Sequence, residues 1–168
     1  MEKIKLNNLV LKNEDVDLDN YITFREEVKK YMNNPDWLGD FSKEDLEKLL
    51  NVGSIIWIYY LELTPVCSMM IIPSTKDDIL KFGLDLDYKK VVDYGPMMVN
   101  YDYVGNGLQL QMLKELDSYC KNIGLEYVVT TVHPDNIYSI KNIEEDGFSL
   151  CGEKIFSRGK RNIYIKKL

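Results

Sequence analysis

The sequence predicts a single α/β domain over residues 1–168, with a mixed, mostly antiparallel sheet and flanking helices. The chain has 168 residues, the usual length of one domain, and 45% of them are hydrophobic, which is enough for a core. Segments of strand-like composition alternate along the chain with segments of helical spacing. Two pairs of strand-like segments are separated only by short turns, which favours antiparallel hairpins.

The first part of the chain predicts a strand followed by two helices. Apolar and polar residues partly alternate from Ile4 to Lys12, as in a strand. From Asp19 to Met32 the apolar residues have helical spacing, and Arg25 is among the charged residues that we place on the outer face. Ser42 begins a capping-box pattern, which predicts that the second helix starts there.

The middle of the chain predicts a hairpin and then a loop. Two segments rich in β-branched and aromatic residues, Ser54–Leu63 and Val66–Ile72, stand on either side of Thr64-Pro65. We therefore place an antiparallel hairpin there, with Thr64 and Pro65 in its turn. The polar stretch from Pro73 to Val92 predicts a loop with a short helix.

The second half predicts a strand, a helix, a strand, a helix and a final hairpin. The strand Asp93–Val99 contains Gly95-Pro96, and because proline cannot donate to the ladder we expect a bulge or local splaying. The other elements begin or end at a turn signal. They are the helix Leu108–Ile123, the strand Glu126–Val132, a helix from Asn136 to about Glu145, and the strands Phe148–Phe156 and Asn162–Lys167.

Composition excludes several classes of function. The formal net charge of −6 argues against a nucleic-acid partner. No window approaches the roughly 18–20 apolar residues of a membrane span and the start lacks a signal-peptide pattern, so we expect a cytoplasmic protein without a membrane partner. Three cysteines, Cys67, Cys120 and Cys151, have neither CxxC nor Cys/His spacing, so the sequence predicts no disulfide framework and no metal site.

A glycine turn between a strand and a helix is the most informative segment. In Gly105-Asn106-Gly107 the backbone N–H groups would form a nest at a helix N-terminus, where the helix dipole favours phosphate. A Walker loop is excluded, because no Gly-Lys-Ser/Thr follows. A dinucleotide fingerprint also fails, because Leu110 stands at the third glycine position. An ordinary strand-to-helix turn stays open as the alternative.

The residues around this turn resemble the acetyl-coenzyme A half of the GNAT superfamily of N-acetyltransferases. The resemblance lies in VNYDYVGNGLQLQML, in EYVVTTVHPDN with Ser139 after it, and in Gly147-Phe148. The family motif Arg/Gln-x-x-Gly-x-Gly/Ala falls on Asp102 to Gly107. The likeness is detailed from Asp93 to Leu168 and covers the first ninety residues only in their order of elements. It implies a GNAT-like fold with a splayed parallel strand pair, and acetyl-coenzyme A as co-substrate.

The resemblance also implies which residues hold the coenzyme. The main chain of Met98 and Val99 would pair with the pantetheine arm like an added strand, with the thioester carbonyl near the Met98 N–H. Asn136 and Ser139 would contact the far end of the coenzyme. The pyrophosphate would bind the backbone N–H groups of Val104, Gly105, Asn106, Gly107 and Leu108. Side-chain contacts to the phosphates would be missing, because Asp102 and Val104 replace residues that are often cationic in the family.

In this family the amine attacks the thioester directly, so the protein must accept a proton, orient the amine and stabilise an oxyanion. Asp93 and Glu62, on adjacent predicted strands, are the candidate bases. The lone histidine, His133, is a weaker candidate beside a structural interpretation. Many members carry a tyrosine general acid where this chain has Ile143, and we name Tyr138 as its replacement.

The acidic balance of the chain favours a small cationic amine as acceptor. Tyr31, Met32 and Trp37 would line its pocket or pack in the core. The C-terminal segment is basic and would either attract coenzyme phosphates or form a solvated hairpin. The basic residues are Lys154, Arg158, Lys160, Arg161, Lys166 and Lys167.

The sequence leaves open the alternative function, the length of the acyl group and the oligomeric state. Because Ile143 removes the usual acid, a non-catalytic acyl-coenzyme A-binding or sensing module is the alternative function. A slot beside Met97 and Met98 could admit an acyl group longer than acetyl. Exposed Trp or Tyr patches would be compatible with a homodimer.

Overall fold

The structure is a computed structural model that describes residues 3–168. Its helices are α1 (Leu18–Lys30), α2 (Lys43–Asn51), α3 (Lys76–Lys81), α4 (Leu108–Asn122) and α5 (Ile137–Glu145). Its strands are β1 (Val10–Lys12), β2 (Ile55–Leu61), β3 (Thr64–Pro73), β4 (Val91–Tyr94), β5 (Met98–Val99), β6 (Tyr127–Val132), β7 (Ser149–Phe156) and β8 (Gly159–Lys167). Among these helices, none has the length and apolar composition that crossing a membrane requires.

One sheet of eight strands organises the chain. Its order is β1-β2-β3-β4-β6-β8-β7, and β5 pairs with β3 beside β4. The β4–β6 pair is parallel, and the other pairs are antiparallel. The predicted mixed, mostly antiparallel sheet with one parallel pair is therefore confirmed.

The two faces of the sheet are buried by different helices. On β2, Trp57 and Tyr59 join the apolar cluster under α4, whereas Ile56 and Ile58 join the cluster under α1 and α2. This alternation is what a strand with both faces covered requires. We call the side covered by α4 and α5 the α4 face, and the side covered by α1 and α2 the α1 face.

A bulge interrupts the strand that runs from Val91 to Val99. Tyr94 pairs with Ile71 and Met98 pairs with Ser68, so three residues on this strand oppose two on β3. The close approach needs a glycine, because a Cβ on Gly95 would lie 3.1 Å from the Ile72 side chain and 3.2 Å from that of Met70. The bulge predicted from Gly95-Pro96 is confirmed.

The parallel pair separates at this bulge. Pairing between β4 and β6 ends at Asp93 and Val129, although β6 continues to Val132. Beyond that point, the one hydrogen bond between these two strands within residues 3–168 runs from the Thr130 hydroxyl to the Tyr94 carbonyl, at 3.1 Å. The two strands therefore leave a gap in the middle of the sheet, as the predicted splayed pair requires.

The first strand and the first hairpin differ from their predicted bounds. The strand predicted over Ile4–Lys12 is reduced to β1, because residues Leu6–Asn8 form a 3-10 turn. The hairpin turn lies at Glu62-Leu63 and not at Thr64-Pro65, which belong to β3. The turn forms there because Glu62 adopts a positive φ of 55°, which reverses the chain two residues earlier than predicted.

Arg25 is buried, against the prediction that it lies on the outer face of α1. Its residue exposure is 5%, and its Nη1 donates a 2.6 Å hydrogen bond to the Phe41 carbonyl. Its Nη2 lies 3.1 Å from a carboxylate oxygen of Asp40. Helical spacing alone missed this role, because the partners lie in the loop after α1. Arg25 therefore fixes the loop that precedes α2.

A buried ionic cluster joins α4, α5 and β8. The ammonium group of Lys166 pairs with the carboxylates of Asp117 and, at 2.9 Å, Asp146. The Tyr94 hydroxyl donates a 2.8 Å hydrogen bond to Asp117. All three charged side chains are at most 15% exposed. The cluster therefore neutralises two carboxylates that would otherwise repel each other in the interior.

Replacing Lys166 with methionine should destabilise the protein strongly. The variant keeps the apolar stem but leaves Asp117 and Asp146 without a cation, so we expect a loss of about 3–5 kcal/mol in the free energy of unfolding. Urea unfolding measures it. The control is Lys167→Met, at the exposed neighbour, which should change the free energy by less than about 0.5 kcal/mol. Equal stability of the two variants would contradict the role of the cluster.

Candidate functional site

The gap between β4 and β6 opens into a cavity of about 370 Å³. Its wall includes Gln109, Leu113 and Ile143 from the α4 face, and Met32 and Trp37 from the α1 face. The cavity therefore passes through the sheet where the strands separate. The other residues that line it are Leu38, Gly39, Asp40, Phe41, Ile72, Asp93, Tyr94, Gly95, Pro96, Met97, Thr130, Thr131, Val132, Asn136, Ser139, Ser157, Arg158 and Arg161.

The predicted glycine turn leads from β5 into α4. Gly105 and Gly107 have φ angles of 87° and 71°, which side-chain-bearing residues rarely adopt. Gly107 is the N-cap of α4 and offers no side chain to the first turn. The backbone N–H groups from Gly105 to Gln109 have no acceptor among residues 3–168. The turn therefore presents several free donors at the positive end of a helix dipole.

One of the backbone N–H groups predicted to bind the pyrophosphate already donates a hydrogen bond within the protein. The N–H of Val104 donates a 3.2 Å hydrogen bond to the Tyr101 carbonyl, because residues Tyr101–Tyr103 form a 3-10 turn just before the glycines. The prediction that Val104 supplies a free N–H is therefore wrong. The free donors begin at Gly105 and continue through Asn106, Gly107 and Leu108.

The glycine turn is held in place by the N-terminal segment. Asn106 Oδ1 accepts a 3.0 Å hydrogen bond from the Ile4 N–H, and Gln111 Oε1 accepts one of 2.9 Å from the Leu6 N–H. Within the turn, Asn106 Nδ2 donates to the Tyr103 carbonyl at 2.8 Å. The side-chain amides of Asn106 and Gln111 therefore hold the turn against the N-terminal segment.

A phosphate group fits the outer side of this turn. A Cβ built on Gly105 would meet no atom within 4 Å, so the space over the turn is open. The exposed residues beside it, Asp102 and Val104, bring no cation. Binding of a pyrophosphate here would therefore depend on main-chain donors and the helix dipole.

The open edge of β5 is formed by Val99 and not by Met98. Met98 pairs with Ser68, and the Asn100 N–H donates a 2.8 Å hydrogen bond to the Val66 carbonyl, so the Met98 N–H points toward β3. Because main-chain groups alternate in direction along a strand, the N–H and C=O of Val99 point to the opposite edge. The predicted donor at Met98 is thus used within the sheet.

The start of α5 forms the α4-face wall of the cavity. Asn136 caps the helix, its Oδ1 accepting from the Ser139 N–H at 3.2 Å. Gln109 joins α4 to α5 through a 3.0 Å hydrogen bond to the Ser139 hydroxyl. Ile143 follows Ser139 by one helical turn and is 3% exposed. Asn136 and Ser139 thus lie in the wall of the cavity between the strands.

Asp93 is the carboxyl group that the structure brings to the separated strands. It is the last residue of β4 to pair with β6, and it lines the cavity without a side-chain hydrogen bond to any residue from 3 to 168. Burial, with a smaller contribution from the negative charge of Asp78, raises the pKa of Asp93 to about 8. The group is therefore mostly protonated at pH 7 and able to exchange a proton near neutral pH.

The other candidate acid–base residues lie outside the cavity wall. Glu62 is exposed in the β2–β3 turn, so its placement on a strand beside Asp93 is wrong. Tyr138 is 67% exposed and does not line the cavity, because it points to the outer side of α5. His133 Nδ1 accepts a 3.1 Å hydrogen bond from the Asp135 N–H, which favours its structural interpretation.

The residues in the α1-face wall of the cavity agree only in part with those predicted to line an acceptor pocket. Met32 and Trp37 line the cavity, as predicted for an acceptor pocket. Tyr31 instead stacks on Tyr101, with ring centroids 4.6 Å apart, outside the cavity. Arg158 and Arg161 reach the cavity from the β7–β8 hairpin, and only their basic character was visible in the sequence.

The sheet order, the bulge, the separated parallel pair and the glycine turn together define the fold of the GNAT acetyltransferases. Solved structures of that class share it. A GNAT-family acetyltransferase from Streptococcus pneumoniae superposes with a TM-score of 0.69 at 15% identity, covering 95% of this chain and 99% of the other. The likeness establishes the fold, and the fold predicted from the resemblance is confirmed.

Two further solved structures share the fold. A ribosomal-protein-alanine N-acetyltransferase from Brucella melitensis has a TM-score of 0.71 at 16% identity, over 95% of this chain and all of the other. An aminoglycoside acetyltransferase in complex with coenzyme A and kanamycin has a TM-score of 0.68 at 15% identity, over 95% and 94% of the chains. By sequence, no protein-family model and no curated protein matches.

Replacing Asp93 with asparagine should stabilise the protein in a pH-dependent way. Its pKa is 3.8 when unfolded and about 8 when folded, so the unfolded chain loses the proton first. The wild type therefore loses stability as the pH rises from about 4 to 8, whereas the neutral asparagine does not. We expect a Tm several degrees above wild type at pH 8.5 and an equal Tm at pH 4.5.

Thermal unfolding across this pH range measures the effect. The exposed Asp85 provides the control, since Asp85→Asn removes a carboxylate without changing a buried group. A constant difference in Tm between wild type and Asp93→Asn at all pH values would contradict the raised pKa.

Proposed function

We propose that this protein transfers the acetyl group of acetyl-coenzyme A to the primary amine of a small acceptor. One observation carries the proposal: the free N–H groups of the glycine turn lie at the start of α4, beside a cavity that opens where β4 and β6 separate. The first feature suits a pyrophosphate, and the second offers a passage for a thioester and an amine to meet. The solved neighbours that hold coenzyme A support the same choice.

The residues that would hold the coenzyme follow from the direction of their main-chain groups. The N–H groups of Gly105, Asn106, Gly107 and Leu108 would bind the pyrophosphate. Val99 would pair with the pantetheine arm, because its N–H and C=O face the gap in the sheet. Asn136 and Ser139 lie in the wall beside that gap and would contact the inner part of the arm.

Asp93 would serve as the proton acceptor for the amine. When bound, the coenzyme supplies an activated acetyl group, whose carbonyl carbon bonds to the amine nitrogen as its bond to sulfur breaks. An alkylammonium ion must first lose a proton, and a carboxylate with a pKa of about 8 can take it near neutral pH. Asp93, Thr131 and Arg161 all line the cavity, so an acceptor held in this cavity would share its space with the Asp93 carboxyl group.

The thiolate sulfur of the leaving coenzyme A would lie near Ser139, whereas many family members use a tyrosine at this point. Ile143 supplies no proton, but Ser139 lies on the same helical face one turn earlier. Its hydroxyl oxygen already accepts a hydrogen bond from Gln109, so its own hydrogen is free to point into the cavity. A hydrogen bond from this hydroxyl would stabilise the thiolate without full proton transfer.

Replacing Gly105 with glutamate should abolish binding of acetyl-coenzyme A. The side chain would occupy the open space over the turn and place a negative charge where the pyrophosphate binds. We expect an increase in Kd of at least about 100-fold, measured by calorimetric titration with acetyl-coenzyme A, which corresponds to about 2.7 kcal/mol.

Gly124→Glu is the matched control for this measurement. Gly124 has a φ of 85° and open space around its Cβ position, so the variant has the same backbone strain and the same added charge at the other end of α4. Its Kd should equal that of the wild type. Loss of binding in both variants would contradict the assignment of the turn, as would retention in both.

The rate of acetyl transfer should depend on the ionisation of Asp93. We expect kcat/KM to rise with pH and to level off above about pH 8, because the base acts only when deprotonated. Asp93→Asn should lower kcat by roughly 100-fold or more while leaving the Kd for acetyl-coenzyme A unchanged. Release of free thiol from acetyl-coenzyme A in the presence of an amine measures the rate.

The acceptor amine also titrates, so the profile needs two acceptors with different amine pKa values. An inflection near pH 8 that stays in place with both acceptors belongs to the protein. An inflection that moves with the acceptor, together with an active Asp93→Asn variant, would remove Asp93 as the base.

A non-catalytic acyl-coenzyme A-binding module is the second candidate, and Ile143 is the observation that favours it. Such a module would bind the coenzyme through the same turn but would not couple thiol release to any amine. Thiol release that increases with amine concentration rules it out. Tight binding without such an increase across a broad amine panel would favour it.

A further inference from the structure

Two arginines stand in the α1-face wall of the cavity. Arg161, which is 3% exposed, donates a 2.8 Å hydrogen bond to the Asp36 carbonyl and one of 2.9 Å to the Lys160 carbonyl. Arg158 donates a 2.8 Å hydrogen bond to the Leu38 carbonyl. These bonds fix both guanidinium groups against the loop between α1 and α2. Each group keeps N–H donors that these main-chain bonds do not use.

Neither arginine has a carboxylate partner within ion-pair distance among residues 3–168. Burial and the charge of Arg158 lower the pKa of Arg161, and the carboxylate of Asp36 opposes this from beyond pairing distance. Arg158 is exposed and Arg161 is buried, and a buried cation beside a second cation is costly unless an anion accompanies it.

The acidic residues in the same cavity do not supply that anion. Asp40 is already paired with Arg25 and Lys29, each at 3.1 Å, and it interacts with Arg158 only from beyond ion-pair distance. Asp93 has a pKa of about 8 and is mostly neutral at pH 7. The wall around Arg158 and Arg161 is therefore locally positive, although the chain as a whole carries a charge of −6.

The arginine pair lies on the opposite side of the sheet from the glycine turn. Tyr94 packs under α4, so the adjacent Asp93 points to the other face. On β8, Tyr164 packs under α4 and Ile163 on the other face, and Arg161 shares the direction of Ile163. Arg161 and Asp93 therefore share one face, away from the start of α4 where the pyrophosphate would bind.

We infer that the acceptor carries a compact anionic group, a carboxylate or a phosphate, which Arg158 and Arg161 bind while its amine faces Asp93. The inference rests on the proposed function and adds the substrate class to it: small amino acids or similar amine-bearing oxyacids. Guanidinium groups match the two oxygens of such an anion in geometry as well as charge. The local charge thus reverses the cationic acceptor expected from the net charge of the chain.

The first experiment compares acceptors that differ only in the anion. Glycine, L-alanine, L-glutamate and L-phenylalanine are each assayed beside their α-carboxamides, and 2-aminoethyl phosphate is assayed beside ethanolamine, by thiol release from acetyl-coenzyme A. We expect at least one acid to exceed its neutral analogue at least tenfold in kcat/KM. The carboxylate and phosphate arms identify which oxyanion is preferred. Equal or faster transfer to the neutral analogues would overturn the inference.

The second experiment tests the two arginines with the preferred acid as acceptor. Arg158→Met, at the more exposed residue, should raise KM for the acid at least tenfold and should raise KM for its neutral analogue by a much smaller factor. Arg161→Lys should keep the charge but lose the two-pronged geometry, with a smaller rise in KM. Lys160→Met removes a cation from the same hairpin outside the cavity and should match the wild type. Equal KM values in Arg158→Met and Lys160→Met would overturn the inference.

Calorimetry separates this inference from the proposed function. If acetyl-coenzyme A binds the wild type and Arg158→Met equally, a change in KM belongs to the acceptor site. If acetyl-coenzyme A does not bind the wild type, the proposed function fails, and titration with the same acids and amides then tests the anion site alone. Acid binding that Arg158→Met abolishes would support the site, and its absence would overturn it.

Discussion

The extra residue between Tyr94 and Met98 is the constraint on which the rest of the structure depends. A strand with one residue more than its partner must bend, and here it bends where a parallel neighbour would otherwise continue to pair. β3 holds both halves of the bulged strand, so the sheet stays intact on one side and opens on the other. The cavity is thus a property of backbone register and does not depend on any single side chain that lines it.

At this opening, the two faces of the sheet present different chemical groups. The α4 face presents main-chain donors and a helix dipole, which suit a constant, highly charged cofactor. The α1 face presents side chains from the loop after α1 and from the β7–β8 hairpin, and such side chains can change without disturbing the sheet. Asp93 lies on the α1 face where its strand stops pairing with β6, and burial there raises its pKa to about 8.

Local signals in the sequence were sufficient for the fold and for the position of the glycine turn, but they did not show that the N–H groups of Val104 and Met98 are used within the structure. The Ser42 cap, the Gly95-Pro96 interruption and the glycine turn each act over a few residues, so their patterns are visible in one sequence. Glu62 was misplaced because a positive φ moved the turn by two residues. Arg25 and the arginine pair were misjudged because their partners, the carbonyls of Phe41, Asp36 and Leu38, come from distant segments. The periodicity of apolar and polar residues in a sequence does not indicate which backbone carbonyl a long side chain will contact.

The hydrogen bonds from Ile4 and Leu6 to Asn106 and Gln111 have a consequence for the dynamics of the site. They join segments about a hundred positions apart in sequence, so the N-terminal segment restrains the glycine turn. Local unfolding of the N-terminal segment would make the turn more mobile and would add an entropic cost to ligand binding. By thermodynamic reciprocity, ligand binding would in turn stabilise the folded N-terminal segment. The order of the N-terminal segment would therefore depend on whether the turn that it contacts through Asn106 is occupied.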